Sequence, residues 1–208
     1  MTNPLEVLVL ESEPAAADAA IEALTAAGHS VHRCHEPGAP AFPCRALTND
    51  DCPLARGTVD VAITVRARPR SVPGALEDGV SCALQHRVPV VVSGRVARNP
   101  YDEFATAVID SSDDVVDAVE SAARGSLRRH ALLAAVAARA VLAQRGDSDP
   151  EIHTEAHRHA GAVRVDIIVA PTVDRSSRDM VATRAHAALR AYDRHARQID
   201  IAVDTVRR

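Results

Sequence analysis

The sequence predicts an α/β fold: a doubly wound, five-stranded parallel sheet followed by a long helix and a small βαβ C-terminal unit. Three observations predict it. Short apolar runs suited to buried parallel strands recur at Leu5–Leu10, Asp60–Val65 and Pro89–Val92. Segments with helical spacing separate them, and strands alternating with helices argue for helices on both faces of one sheet. After residue 125 the pattern changes to an Ala-rich helix, a Gly-Asp-Ser-Asp-Pro break and one further strand–helix–strand series. These shifts divide the chain into a domain over 1–125 and a second over 126–208.

Each element has its own signal. Leu5–Leu10 forms the first strand, and Glu11-Ser12-Glu13-Pro14 opens a helix with Ser12 as N-cap and Pro14 in the first turn. Ile21 and Leu24 mark its apolar face, and Gly28 suits its C-terminal end. Ser30–Arg33 is a brief second strand. Four prolines between Pro37 and Pro53 then make a regular helix unfavourable. Asp60–Val65 is the third strand, Gly74–His86 a helix, Pro89–Val92 the fourth strand and Phe104–Ile109 the fifth. Asp113–Ala123 reads as a helix with Val115, Val116 and Val119 inward, and Ser126–Gln144 as a separate long helix. Val163–Val169, a helix over Ser176–His195 capped by Ser176 or Ser177, and Ile199–Val203 complete the chain. A lone βαβ unit leaves one sheet face uncovered, so this tail is expected to dimerise or dock.

Composition narrows the chemistry. The 208 residues contain no lysine, so a phosphate-loop Lys and a Schiff base are excluded, and every strong cation is Arg. A net charge of −4 gives no general attraction to nucleic acid or anionic membranes. The N-terminus has neither the basic start nor the long apolar core of a signal peptide, and no run is long enough to span a bilayer. The expectation is a cytoplasmic protein, where clustered cysteines more often bind metal or perform redox chemistry than form structural disulfides.

Cys34, Cys44 and Cys52 lie in one proline-rich stretch, and Cys82 lies in the helix after the third strand. Nine, seven and twenty-nine residues separate them, without the short paired knuckles of common zinc folds or the spacing of familiar ferredoxins. Four thiolates nonetheless suffice for an iron–sulfur cluster or a tetrahedral zinc. Prolines beside Cys44 and Cys52 stiffen the loop, and Arg33, Arg45 and Arg56 could offset thiolate charge. A reversible disulfide switch and four small, buried, chemically inert thiols are the competing explanations. His32 or His35 would become a ligand if Cys82 stays apart, while Cys34 and His35, adjacent in an extended chain, should point to opposite sides.

Other polar clusters carry less. His153, His157 and His159 could share a helix face but lack the Glu of a zinc-protease motif, and His186 and His195 read as surface residues. Arg66, Arg68 and Arg70 follow the third strand, where such sheets bind ligands, yet read as a solvated loop without a Gly-rich cradle.

The opening Val7-Leu8-Val9-Leu10-Glu11-Ser12-Glu13-Pro14, its Ala-rich helix ending in Ala-Gly-His, and Val88-Pro-Val-Val-Val-Ser93-Gly94 resemble the chemotaxis-type receiver domain of response regulators. The resemblance covers about three-fifths of the chain and places Ser93 at the family's switch hydroxyl. It implies a pseudo-receiver: the phospho-acceptor Asp falls on Val65 or Thr64, the Lys is missing, and Ser12 replaces a magnesium-binding acid. Such a domain would not be phosphorylated on Asp. The C-terminal unit is similar to small βαβ dimerisation domains.

Together these readings predict a non-enzymatic regulatory or sensor protein. Cys34, Cys44, Cys52 and Cys82 would hold an iron–sulfur cluster or Zn, and its state would control loop conformation and contact with a protein partner. The chain would be a homodimer with no nucleic-acid or membrane partner. The alternatives are a zinc-stapled interaction adaptor and a thiol-dependent enzyme.

Overall fold

A computed structural model describes residues 4–69, 71–94, 100–101, 103–110, 114–159, 162–194 and 196–205. The chain divides into two compact units, Met1–Arg124 and Gly125–Arg208. Among the described residues, no helix is long and apolar enough to cross a membrane.

The first unit contains an all-parallel sheet of β1 (Glu6–Glu11), β2 (Ser30–Arg33), β3 (Val61–Val65), β4 (Val90–Ser93) and β5 (Ala107–Ile109), in the order β2-β1-β3-β4-β5. This is one of the two common doubly wound orders, with its switch point between β1 and β3. Alternate residues of each strand feed two cores. Val7, Val9, Val61, Ile63 and Val91 meet α1 (Asp18–Ala26) and the start of α4 (Val115–Gln144). Leu8, Leu10, Ala62, Val90 and Val92 pack with Val80 and Ala83 of α3 (Gly79–Gln85) and with Leu54 of the Cys-rich segment. Burial on both faces explains why these strands read as continuous apolar runs.

Several boundaries differ from the sequence reading. α1 begins at Asp18 without a side-chain cap, and Ser12 instead accepts the Ala67 N–H at 3.1 Å. The β3–β4 connection splits into a 3₁₀ turn (Ala75–Glu77) and α3, and β5 starts at Ala107. The proline-rich segment does contain one helical turn, α2 (Arg45–Asn49), because its prolines lie outside those five residues. Two expected helices are one: α4 runs unbroken through Gly125, whose penalty of about 1 kcal/mol is outweighed by flanking Ala, Leu and Arg.

The end of β3 carries a buried polar knot rather than a solvated arginine loop. Arg66 and Glu77 have side chains at 0% exposure, with Arg66 Nε 3.1 Å from Glu77 Oε1. Thr64 Oγ1 donates to Glu77 at 2.8 Å, Gly74 N–H donates to it at 2.7 Å, and the Arg66 guanidinium donates to the Val72 carbonyl at 3.1 Å. The sequence suggested solvation because the arginines follow a strand without a Gly-rich cradle; of them Arg68 is indeed exposed, 3.5 Å from Glu13. Arg70 lies outside the described residues.

The second unit holds a three-stranded sheet, β6 (Ile152–His159), β7 (Ala162–Val169) and β8 (Gln198–Thr205), in that order. β7 and β8 are parallel and joined by α5 (Arg175–Tyr192), as a βαβ unit requires. The antiparallel β6 was not expected: its His153, Glu155 and His157 lie on an exposed strand face, not a helix. Asp174, not a serine, caps α5 by accepting the Ser177 N–H at 2.8 Å. His186 is exposed, and His195 lies outside the described residues. Val163, Val165, Ile167 and Val169 pack on Ala134, Ala138 and Val141 of α4 and on Val181, Ala185 and Leu189 of α5.

A buried polar cluster closes this core. His130 faces the Ser126 carbonyl at 2.8 Å and Asp193 Oδ2 at 3.1 Å, while Arg158 lies 3.4 Å from the same carboxylate. Burial alone would raise the Asp193 carboxyl. The hydrogen bond with His130, the Arg158 and His130 charges and the Ala196 N–H outweigh it and hold the group below its ordinary value.

Gly125 and Asp193 each offer a stability test. A Cβ at Gly125 would meet nothing within 4 Å, so Gly125→Ala should stabilise the protein by about 0.5–1 kcal/mol; an unchanged or lower urea midpoint would contradict an unstrained helical site. A carboxyl held low stabilises the fold above its unfolded pKa and loses that contribution as pH falls through the lowered value. The stability gap between wild type and Asp193→Asn should therefore be widest near neutrality and narrow below about pH 4. A gap constant from neutral pH into that range would show that the charge contributes nothing.

Candidate functional site

β2 ends at Arg33, and the chain turns immediately, which releases Cys34 and His35 from strand alternation. Both line the same cavity. His32 remains within β2, pairs with Glu6 at 2.5 Å and does not reach that cavity.

The Cys-rich segment lies over the α3 face of the sheet, with Leu54 buried in that core and Cys34 and Cys52 packed against it. All four cysteines are free thiols and line a single cavity of about 140 Å³. Leu54, Pro53 and Phe42 form part of its apolar wall, and His35, Arg45, Asp51 and Asp78 are its polar members. The tertiary fold thus gathers Cys34 from the end of β2, Cys44 from the start of α2, Cys52 beyond it and Cys82 from α3.

Local contacts set the positions of these sulfurs. A Cβ added to Gly79 would come within 2.8 Å of Cys34 Sγ and 2.7 Å of Leu10 Cδ2, so only glycine lets α3 approach this closely. Cys52 Sγ accepts the Ala55 N–H at 3.4 Å. The Cys44 carbonyl accepts the Leu47 N–H at 3.0 Å and the Thr48 hydroxyl at 3.1 Å. Asp51 bridges Arg45 and Arg56, the latter at 2.5 Å, while Arg45 Nε lies 3.6 Å from Glu36. These arginines brace the loop through its acids; Arg33 is paired in the same manner with Glu11 and Asp18.

Burial, reinforced by Cys52, Cys82 and Cys44, pushes the Cys34 thiol up to about 12 against an opposing pull from Arg45. Cys82 is exposed as a residue but also raised, first by partial desolvation and then by Cys52, Cys44 and Asp78. Such thiols are poor nucleophiles. A bound cation reverses the balance by taking the place of the thiol protons.

The donor set also bears on size. Four thiolates on one zinc at about 2.3 Å stand only about 3.8 Å apart by tetrahedral geometry. Among the described residues, no group of three His, Cys, Asp or Glu side chains is arranged to hold a single metal ion. The four thiols instead surround a space larger than one ion requires. His35 supplies a further fit criterion: its Nδ1 is buried and has no hydrogen-bond partner among the described residues. The sequence pointed to His35 only through its position beside Cys34; its orphaned nitrogen depends on the fold.

A smaller cavity opens at the ends of β1 and β2, lined by Leu10, Glu11, Arg33 and His35 among others, whereas the ends of β3 and β4 are filled. Thr64 and Ser93 are buried there, and the Arg66–Glu77 pair fills the level just beyond β3. No protein-family model matches the chain, and no curated protein matches it.

The close approach at Gly79 yields a double-mutant test. Gly79→Ala should destabilise the protein by about 1–3 kcal/mol through overpacking. The same change in a Cys34→Ala background should cost less, because the crowded sulfur is gone. Equal costs in both backgrounds would show that Cys34 does not set the α3 approach.

Proposed function

We propose that Cys34, Cys44, Cys52 and Cys82 hold an iron–sulfur cluster and that the protein is a regulatory sensor controlled by that centre. The observation carrying this reading is the convergence of all four thiols on one cavity from three separate parts of the fold. The cavity of about 140 Å³ has room for a polynuclear group as well as for a single ion. When bound, the cluster supplies one-electron redox chemistry and a cation to neutralise the crowded thiolates.

The residues around it determine the response. Cys34 is lodged against Gly79, Cys44 begins α2, and Asp51 ties the intervening loop to Arg45 and Arg56. Loss of the centre would leave desolvated thiols with no common partner and loosen this segment. Phe42 and Leu47 on the same segment are 73% and 67% exposed, so rearrangement would change an apolar surface available to a protein partner. The receiver-like resemblance is consistent with a signalling role, with the cysteine centre in place of Asp phosphorylation.

Anaerobic purification with quantified iron, sulfide and zinc tests this reading. The expected product contains matching iron and sulfide and absorbs broadly near roughly 400 nm. Chelation should lower its unfolding midpoint, and Cys34→Ser should lose the iron and most of that metal-dependent stabilisation. Stoichiometric zinc without colour would replace the cluster by a zinc-stapled adaptor; four metal-free thiols in wild type would reject both centres.

A further inference from the structure

Two features of the cavity lie outside a symmetrical four-cysteine arrangement. The first is His35. His35 borders the same space as the thiols. The neutral ring has a lone pair on Nδ1 when its proton is on Nε2. That Nδ1 is buried without a hydrogen-bond partner among the described residues, an arrangement that is costly if nothing satisfies it.

The second feature is an asymmetry among the thiols. Cys34, Cys44 and Cys52 are half-buried in one loop segment, whereas Cys82 is exposed on α3. Cys34 Sγ is confined by Gly79 and Cys52 Sγ accepts a backbone N–H. Cys82 is therefore the most exposed of the four cysteines.

We propose that His35 Nδ1 is an alternate ligand of the centre and takes the coordination position vacated by Cys82. The inference rests on the iron–sulfur reading above. In the exchange, one iron–sulfur bond to Cys82 breaks and one iron–nitrogen bond to the neutral imidazole forms. The departing thiolate takes one proton from solvent, and no electron is transferred. Replacing an anionic ligand with a neutral one makes the bound centre one unit less negative. It also raises its reduction potential, as when His replaces Cys on iron–sulfur centres. The three loop cysteines would then form the permanent seat, with Cys82 and His35 alternating at the fourth position.

Iron and sulfide content after anaerobic reconstitution of the full chain tests the exchange in wild type, His35→Ala, Cys82→Ser and the double variant. Wild type and His35→Ala should load equally. Cys82→Ser should retain its iron, while the double variant should bind at least about tenfold more weakly, the lower range for losing even a group that supports a ligand. In the reduced Cys82→Ser protein, ¹⁵N-histidine labelling should reveal nitrogen coupling to the cluster by pulsed electron paramagnetic resonance. Far-UV circular dichroism of the metal-free variants serves as the folding control.

If wild type loads but Cys82→Ser and the double variant bind iron equally, the exchange is overturned and the cluster reading survives. The exchange is likewise overturned if folded Cys82→Ser holds no iron. If wild type itself takes up no iron and sulfide, the underlying cluster reading fails, and the exchange fails with it.

Discussion

The buried Arg66–Glu77 pair is the constraint on which the candidate site depends. Both side chains are withdrawn from water, so their desolvation must be met by partners on all sides. Thr64, Gly74 and Val72 provide them, joining the last residues of β3 to the turn that precedes α3. Removing one member of such a pair generally costs about 3–5 kcal/mol because the other charge remains buried. The pair thereby holds the start of α3 against the sheet. Gly79 and Cys82, two and five residues beyond Glu77, inherit their placement from it.

The same pair also separates the site from the usual ligand position of a doubly wound sheet. Such sheets bind ligands outside the strand C-terminal ends near the switch point. Here the level beyond β3 contains a buried polar knot, while the thiol-lined cavity lies towards the β2 edge beneath the Cys-rich segment. A long helix packed after β2 would fill more of that face. The prolines restrict helix formation to Arg45–Asn49 and leave a thiol-lined space between the loop and α3.

Electrostatics gives this space its chemical character. Burial first, and then the neighbouring cysteines, raise the proton affinity of Cys34 and Cys82. The adjacent arginines are already engaged by Asp51, Glu36, Glu11 and Asp18 and do not form a free cationic lining. Under the proposed reading, a bound centre would stabilise several thiolates together. His35 borders the same space, with its Nδ1 buried and without a hydrogen-bond partner among the described residues.

The five-stranded sheet was legible in the sequence because parallel strands buried on both faces require local apolar runs, visible at Val7–Leu10, Val61–Val65 and Val90–Val92. The four cysteines were legible as candidates because few residue types carry soft ligand chemistry. β6 was not, because its exposed His and Glu residues obscure a strand whose existence depends on pairing with β7. Nor could Gly125 alone reveal that α4 continues through it. Arg66 looked solvated until Glu77, eleven residues away, was brought beside it, and His35 looked extended until the chain turned at the end of β2. The sequence by itself determined the local periodicities and the chemical inventory. Only tertiary structure decided which charges are buried together, which thiols share a cavity and which nitrogen is left without a partner, since those properties arise from contacts between segments distant along the chain.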